Sequence, residues 1–275
     1  METHLHAGFF YNLLMSIHLL SITQEQVTPG LLALFDITKP TMPRAFNILE
    51  GLNRGQILVD DPAHPTTAVV RDDMYGTLYF GGNVGASLIS SLVPYFCGMG
   101  EVGIGCWLND PLNAMIPSDF DYDGRTYYFT ERSSTHDRQN FQLPAGFRLL
   151  PRDEELFRKS FDYQSTVDLF GSPENVLRHT LGVTVLHEDT LVCEAATGAP
   201  THGWIEVGVT TAEPYRSQGF ATIACARLIE LCEEQGYKTW WDCAKQNTPS
   251  VRLAKKLGYQ DDPEYRYVWW AKKNF

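Results

Sequence analysis

The segment from Tyr215 to Ala221 constrains the fold more than any other part of this chain. It reads Tyr-Arg-Ser-Gln-Gly-Phe-Ala, follows a strand-like run from Trp204 to Thr211, and opens a long amphipathic helix. Gly219 and Ala221 leave a row of backbone N–H groups with little side-chain bulk over them. The helix dipole adds positive potential at the same point. This strand-to-helix turn therefore predicts a diphosphate site, and coenzyme A is the nucleotide cofactor that fits it best.

Strands and helices alternate through the second half of the chain, which is typical of an α/β fold. The long helix is predicted over Gln218 to Gln235, with Gly236 as its terminator. The other predicted elements are a strand over 146–151, helices over 153–161 and 173–179, a hairpin of strands 181–186 and 190–195, a strand over 238–242, a helix over 249–257 and a strand over 265–270.

The first half has a similar alternation. Helices are predicted over 5–21 and 42–52, and strands over 56–60, 66–71, 77–80, 104–108 and 127–131. The glycine-rich junction from Gly81 to Ala86 is interpreted as a tight turn with close packing, because it lacks the Arg and Gln that precede Gly219. The stretch 109–124 is predicted to be a loop. The polar stretch 133–142 is predicted to separate two domains, 1–135 and 143–275.

The charge balance restricts the class of ligand. The chain has 275 residues with 33 acidic and 22 basic side chains, for a formal net charge of -11. This balance argues against nucleic acid as a partner, because phosphates require a basic surface. It suits a cationic small molecule such as a polyamine or an amino-sugar, although solubility alone also explains an acidic surface.

The cysteines and the apolar runs indicate whether the chain binds a metal and in which cellular compartment we expect it. The six cysteines show no metal-ligand spacing, so we predict buried reduced thiols, no metal and a cytoplasmic protein. The apolar run from Phe9 to Ile22 lacks a basic cluster before it and a small-residue cleavage site after it, so it is interpreted as a core helix rather than a signal peptide. No segment is long and apolar enough to span a bilayer, so we expect no membrane partner.

The second half resembles the GNAT superfamily of acyl-CoA N-acyltransferases. The resemblance rests on the turn Arg216-Ser-Gln-Gly-Phe-Ala221 and, at the right distance, on Asn247-x-x-Ser250-x-x-Leu-Ala-x-Lys-Leu-Gly-Tyr259. Trp241-Asp242, Phe170-Gly171-Ser172 and the first-half phrases Leu49-Glu50-Gly51 and Val59-Asp60-Asp61 are similar to the subfamily of zwittermicin A resistance acetyltransferases. The resemblance implies a mixed twisted sheet flanked by helices, in a tandem of two GNAT-like lobes of which the first is degenerate.

The resemblance also implies which residues hold the donor, acetyl-CoA. The diphosphate would lie on the backbone amides of Ser217, Gln218, Gly219, Phe220 and Ala221, next to Arg216. The pantetheine arm would run along the strand that ends at Val209, Thr210 and Thr211, where two parallel strands diverge. Asn247 and Ser250 would hydrogen-bond the arm or the phosphates, and Lys255 or Lys256 would reach the adenosine phosphate.

Acetyl transfer to an amine requires a base. An alkylamine with a pKa near 10.4 is mostly protonated at neutral pH, and deprotonating it costs roughly 4–5 kcal/mol. Glu206 and Asp242 are the candidate bases, and both equally suit binding of the substrate cation. The alternatives are a solvent-facing carboxylate for Glu206 and a helix cap for Asp242.

The departing thiolate lacks its usual proton donor. The resemblance places a tyrosine directly after the leucine of the Asn-x-x-Ser helix, and this chain has Ala254 there. A thiol with a pKa near 8.5 leaves as a thiolate without one. Tyr259, Tyr265 and Tyr267 are candidate replacements among which the sequence does not choose.

Three functions remain open from the sequence. The leading hypothesis is acetyl-CoA-dependent N-acetylation of a primary amine on a small cationic molecule, such as an antibiotic, by a monomer or homodimer. The second hypothesis keeps the chemistry but makes a protein or peptide the acceptor. The third is a non-catalytic regulatory module that binds acyl-CoA, which the missing tyrosine at Ala254 slightly favours.

Overall fold

The computed structural model describes residues 18–133, 142–260 and 263–272, and the chain divides into two compact units. Unit 1 combines the residues before Thr126 with those after Pro263, and unit 2 is the continuous stretch between them. Most of the predicted helix over 5–21, most of the apolar run from Phe9 to Ile22 and most of the predicted boundary over 133–142 lie outside the described residues.

The strands and helices follow one another in chain order. They are β1 Leu20–Ile22, α1 Pro29–Leu32, α2 Met42–Leu49, β2 Gly55–Val59, β3 Thr67–Asp72, β4 Thr77–Gly82, α3 Ala86–Cys97, β5 Val102–Trp107, β6 Tyr122–Phe129, β7 Phe147–Pro151, α4 Glu154–Arg158, α5 Tyr163–Phe170, α6 Pro173–His179, β8 Gly182–His187, β9 Thr190–Thr197, β10 Trp204–Thr211, α7 Phe220–Glu234, β11 Lys238–Ala244, α8 Thr248–Lys256 and β12 Glu264–Trp270.

The division into units differs from the predicted ranges 1–135 and 143–275 at both ends of the second range. The last strand of the chain, β12, pairs with β5 and so belongs to unit 1. The second part of β6, from Thr126, pairs with β11 and so belongs to unit 2. Strand pairing, rather than continuity along the chain, decides which sheet each strand completes.

Unit 1 is a mixed sheet in the order β1-β2-β3-β4-β5-β12. Alternation along β4 separates two cores, because successive side chains point to opposite faces. Leu78 and Phe80 pack in a core with residues of α3, whereas Tyr79 packs in a second core with residues of α2. The strands β4 and β5 run parallel and pair only at Thr77↔Gly103 and Leu78↔Ile104, so they diverge beyond Leu78.

Unit 2 is a mixed sheet in the order β6-β11-β10-β9-β8-β7. One face packs against α7, whose buried residues include Phe220, Ala224 and Leu228. Val207 of β10 and Trp241 and Cys243 of β11 point into this core. The opposite face of the sheet therefore carries the alternate residues of the same strands.

Most predicted elements of the second half are present within two or three residues of their expected ends, and the predicted hairpin is the antiparallel pair β8 and β9. The helix α5 was not predicted, and the predicted loop over 109–124 contains a short 3-10 turn at Pro111–Ala114 and the first residues of β6. The fold class is the predicted one, a mixed sheet flanked by helices.

Candidate functional site

The strands β10 and β11 diverge in the middle of unit 2. They pair in parallel at three positions, the last of which is Glu206↔Trp240. Beyond that point β10 pairs with β9 through Val207–Thr211, and β11 pairs with β6 through Trp241–Ala244. A gap therefore opens between the two strands at their carboxyl ends.

The edge of β10 that faces this gap carries unused backbone groups. Ala212 N–H donates to the Val192 carbonyl at 2.9 Å, and the Glu206 carbonyl accepts from Gly198 N–H at 3.2 Å. Alternate residues of a strand direct their backbone groups to opposite edges, so even-numbered residues face β9. Beyond the last pairing position, Glu206↔Trp240, Val209 and Thr211 then direct their N–H groups toward the gap, where no strand of the described chain pairs with them.

The turn between β10 and α7 holds two residues in the left-handed conformation. Ser217 has φ 63° and Gly219 has φ 90°. A Cβ built on Gly219 would meet no atom within 4 Å, so the space in front of this glycine is open. Arg216 Nε donates to the Thr211 carbonyl at 3.2 Å and ties the turn to the end of β10. The first amides of the 15-residue helix α7 consequently face solvent at a positive helix end.

The start of α8 forms the opposite wall. Asn247 caps this helix by accepting a hydrogen bond from Ser250 N–H at 3.3 Å. Ser250 Oγ accepts one from the Trp241 indole N–H at 3.0 Å. These bonds hold both side chains at the mouth of the gap, and they show that Asn247, not Asp242, caps the helix.

These parts line one open groove of about 700 Å³. The predicted cofactor residues on its wall are Val209, Thr210, Thr211, Arg216, Ser217, Gly219, Phe220, Ala221, Asn247 and Ser250. Gln218 is not on the wall, and its side chain donates instead to the Pro214 carbonyl at 3.0 Å. The structure thus brings ten of the eleven predicted cofactor residues together in unit 2.

Sequence reasoning missed Arg252 and Tyr215 on the groove wall, but it named Lys256 as a candidate to reach the adenosine phosphate. Arg252 lies on the wall together with Lys256, one turn later on α8, so three cationic side chains including Arg216 line a groove in a chain of net charge -11. The helical spacing of Arg252 and Lys256 was the available signal. Tyr215 also lies on the wall, at the end of a short 3-10 turn.

The two candidate bases lie on the same face of the sheet. Val207, Trp241 and Cys243 point toward α7, so Glu206 and Asp242 point to the opposite face by strand alternation. Both carboxylates are half-buried, and Asp242 lies two residues beyond the last pairing position, at the gap. Glu206 lies on a central strand, in register with Trp240. Its half-buried position differs from the alternative expectation of a fully solvent-facing carboxylate.

None of the three candidate proton donors is among the residues that line the groove of unit 2. The Tyr259 hydroxyl donates to Thr239 Oγ1 at 2.8 Å within the core, and burial raises the pKa of this tyrosine well above its usual range. Ala254 is completely buried in the same core. Tyr265 and Tyr267 lie on β12 and belong to unit 1, where the Tyr267 hydroxyl is 3.3 Å from Thr77 Oγ1.

The described residues contain neither a cluster of metal ligands nor a membrane-spanning helix. No group of three or more His, Cys, Asp or Glu side chains in the described ranges has the arrangement of a metal site. Among the helices of the same ranges, none combines the length and apolarity needed to cross a bilayer.

Comparisons with known proteins agree with this geometry. Residues 34–268 match the model of the family described as GNAT acetyltransferase. An uncharacterized N-acetyltransferase of Bacillus subtilis (strain 168), YdfB, is 30% identical over 160 residues, which are 58% of this chain and 58% of YdfB. The chain thus spans less than two thirds of that relative.

Two solved structures show the same fold. A GCN5-related N-acetyltransferase-like protein from Streptococcus suis 89/1591 is 25% identical, with a TM-score of 0.69 over 90% of this chain and 100% of that one. A tandem GNAT protein from the clavulanic acid biosynthesis pathway is 12% identical, with a TM-score of 0.61 over 92% of this chain and 97% of that one, and so shows the fold alone. With a family model that matches most of its length and a groove at the diverging strands, the chain belongs to the GNAT acetyltransferase family.

Proposed function

We propose that this protein transfers an acetyl group from acetyl-CoA to a primary amine of a small cationic molecule. The observation that carries the proposal is the groove of unit 2, which joins an open helix start to an unpaired strand edge. A donor with a diphosphate at one end and an amide-bearing arm at the other needs both features. The remaining assignments follow from the groups that each part of the groove presents.

The helix start is the diphosphate end of the groove. The amides from Ser217 to Ala221 and the dipole of α7 provide the donors and the positive potential. Arg216, Arg252 and Lys256 on the wall add charge that complements the phosphates. The open space before Gly219 lets a phosphate approach the backbone.

The unpaired edge of β10 is the acyl end. The N–H groups of Val209 and Thr211 point into the gap and can donate to a pantetheine arm that lies along β10 as an additional strand. The Val209 N–H, the first on this edge beyond the last pairing position, is the candidate donor to the oxyanion that forms during acetyl transfer.

Glu206 and Asp242 would take the proton of the amine or bind its cation. They lie on the face opposite α7, so the acceptor would approach from that face while the donor occupies the groove. Ala254 is buried and the Tyr259 hydroxyl donates to Thr239 Oγ1, so we infer that neither position protonates the departing thiolate.

The acidic composition and the resemblance to zwittermicin A resistance acetyltransferases support an amino-bearing antibiotic or metabolite as the acceptor, with a resistance or self-protection role in the cytoplasm. The alternatives are acetylation of a protein or peptide amine, and a non-catalytic module that binds acyl-CoA. The buried Ala254 is the observation that favours the non-catalytic module.

The test compares two glycines at opposite ends of one helix. Gly219 and Gly236 both have positive φ and both face open space, so a glutamate at either position imposes similar backbone strain. We expect Gly219→Glu to abolish the thermal stabilisation by acetyl-CoA, because the new carboxylate opposes the diphosphate. Gly236→Glu should keep that stabilisation, which is about 2.7 kcal/mol at 100 times the Kd.

Release of coenzyme A over a panel of polyamines, aminoglycosides and peptides then separates the acceptors. Turnover with small amines alone supports the proposal, and turnover with peptides alone supports the second function. Stabilisation without turnover on any acceptor would support the regulatory module. Equal stabilisation of both glycine variants would overturn the assignment of the groove.

A further inference from the structure

The strand β10 carries a glycine on the face of the unit 2 sheet that is opposite α7. Val207 and Val209 pack toward α7, so Gly208 between them belongs to the opposite face by strand alternation. Although β10 is a central strand of its sheet, Gly208 is exposed. A Cβ built on Gly208 would meet only the Ala196 carbonyl oxygen, at 3.7 Å, which is an ordinary contact. The space over this residue is therefore open.

Neither backbone conformation nor packing requires a glycine at position 208. The φ of Gly208 lies outside the left-handed region that favours glycine. The other strand glycines of the described ranges differ, because a Cβ on any of them would lie 3.0 Å or less from a neighbouring atom. They are Gly55, Gly81, Gly82, Gly103, Gly105, Gly124 and Gly182. A glycine inside a strand costs stability relative to alanine, and one without a structural reason is expected where another molecule approaches the backbone closely.

Gly208 lies next to the groups that acetyl transfer uses. The following residue, Val209, provides the candidate oxyanion donor at the edge of the gap. Glu206, one of the two candidate bases, lies two residues earlier on the same face. Counting on from the register pair Glu206↔Trp240 places Asp242, the other candidate base, across the gap from Gly208. The open space is thus bordered by two half-buried carboxylates, beside the position proposed for the thioester.

The open space is separate from the donor groove. The groove wall includes Val209 and Thr210 but not Gly208. Three cationic side chains line the groove and complement phosphates, whereas the surroundings of Gly208 present the two carboxylates. Opposite charges therefore separate the place of an anionic donor from the place of a cationic acceptor. A side chain at position 208 would obstruct the second place and leave the first one free.

We propose that the acceptor amine reaches the thioester over Gly208, and that the missing side chain at this position determines how bulky an acceptor can be. The cationic end of the acceptor would pass between the carboxylates of Glu206 and Asp242. Its nitrogen would then meet the acetyl group whose oxygen is held by Val209 N–H. This inference rests on the proposed function and adds to it the path of the acceptor.

The experiment compares Gly208→Ala and Gly208→Leu with the wild type. The probes are 1,5-diaminopentane, spermidine and kanamycin, and the one with the highest kcat/KM in the wild type serves as the acceptor. Release of coenzyme A gives the turnover, and thermal stabilisation by acetyl-CoA reports donor binding separately. The control is Thr190→Leu, which adds the same bulk at an exposed position of β9, six residues before Ala196.

We expect Gly208→Ala to lower kcat/KM for the acceptor about tenfold, because a single carbon atom in a fitted site has an effect of this order. Gly208→Leu should lower it about a hundredfold or more, because a small displacement of the nitrogen suffices for such a loss. Both variants should keep the stabilisation by acetyl-CoA. Gly208→Ala should also raise the denaturant midpoint, because alanine fits this backbone and restricts the unfolded chain. Thr190→Leu should change neither turnover nor donor binding.

Unchanged kcat/KM in Gly208→Leu would overturn the path over Gly208 and leave the proposed transferase standing. A lower denaturant midpoint in Gly208→Ala, or loss of its acetyl-CoA stabilisation, would also overturn the path, because the glycine would then serve the fold. If Gly208→Leu does not fold, Gly208→Ala decides by the same measurements. Absence of wild-type turnover with all three amines is a different result, which contradicts the proposed small-amine transferase and the path together.

Discussion

At the scale of single residues, the site depends on backbone conformation as much as on side chains. Ser217 and Gly219 are both left-handed, and together they turn the chain so that the amides at the start of α7 face outward. Gly219 was predictable from the sequence because its spacing to Asn247 and Ser250 is specific. The left-handed Ser217 was not, because only a few per cent of non-glycine residues adopt positive φ.

The base can be located with two conservative variants. We expect Glu206→Gln or Asp242→Asn to lower kcat by about a hundredfold or more, because general-base catalysis typically contributes 10²–10⁴-fold. Both variants should keep the stabilisation by acetyl-CoA, because neither carboxylate lines the donor groove. The control is Asp189→Asn, whose side chain is 96% exposed in the β8–β9 turn. If neither variant slows turnover tenfold, the base lies elsewhere.

The thiols should be unreactive in the folded protein. All six cysteines are buried and reduced, as predicted, and burial raises the pKa of Cys193 to about 11 and that of Cys232 to about 12. Thiolates are the reactive species, so at pH 8 we expect a disulfide reagent to modify fewer than one thiol per chain within minutes, and six after unfolding. Rapid reaction of several thiols in the native state would contradict this burial.

At the scale of elements, the sequence predicts the helices and hairpins that hydrophobic periodicity and turn residues specify. It does not predict features that depend on which distant elements pack or pair with each other. The turn, α7 and the β8–β9 hairpin have strong local signals, and they lie where expected. The short helix α5 has only a narrow apolar stripe and one fully buried residue, Phe170, so periodicity did not mark it. The gap beside β10 depends on which strands pair, which no local pattern encodes.

A buried ion pair lies on the face of the unit 2 sheet that is opposite α7. Arg152 Nη1 donates to Glu194 Oε1 at 3.1 Å with both side chains almost fully buried, and Ser160 Oγ donates to Glu194 Oε2 at 2.6 Å. We expect Glu194→Gln to lower the free energy of unfolding by about 3 kcal/mol, because it leaves the Arg152 charge buried and uncompensated. Denaturant unfolding measures this difference.

The control for that variant is Glu155→Gln, which breaks an exposed pair with Lys159 one helical turn away and should cost less than about 0.5 kcal/mol. The double variant Arg152→Met with Glu194→Leu should recover part of the loss, because apolar side chains replace both buried charges. If Glu194→Gln lowers the free energy of unfolding by less than about 1 kcal/mol, water reaches the Arg152–Glu194 pair and its burial is contradicted.

At the scale of the whole molecule, the two units differ from the linear halves that composition indicated. The stretch 133–142 is polar with few apolar residues, so the sequence places a boundary there. This boundary would place the strand β12 in the second domain, but β12 forms six register pairs with β5 in unit 1. Its Val268 and Trp270 are fully buried in the unit 1 core.

Removal of β12 should therefore affect unit 1 and spare unit 2. In a chain that stops after Pro263, we expect loss of hydrogen-exchange protection in β2 to β5 and retention of it in β8 to β11. Stabilisation by acetyl-CoA should persist, because every residue of the donor groove lies between Thr126 and Pro263. Full protection of β5 in the shortened chain would contradict the role of β12.

The strand β12 follows all the strands of unit 2 in the chain, which sets the order in which the two units can be completed during synthesis. All strands of unit 2 are synthesised before the partner of β5, so the unit that begins second is complete first. At a translation rate of about 5–20 residues per second, on the order of ten to thirty seconds pass between the synthesis of β5 and that of its partner β12. An unpaired strand edge is an aggregation hazard during that interval.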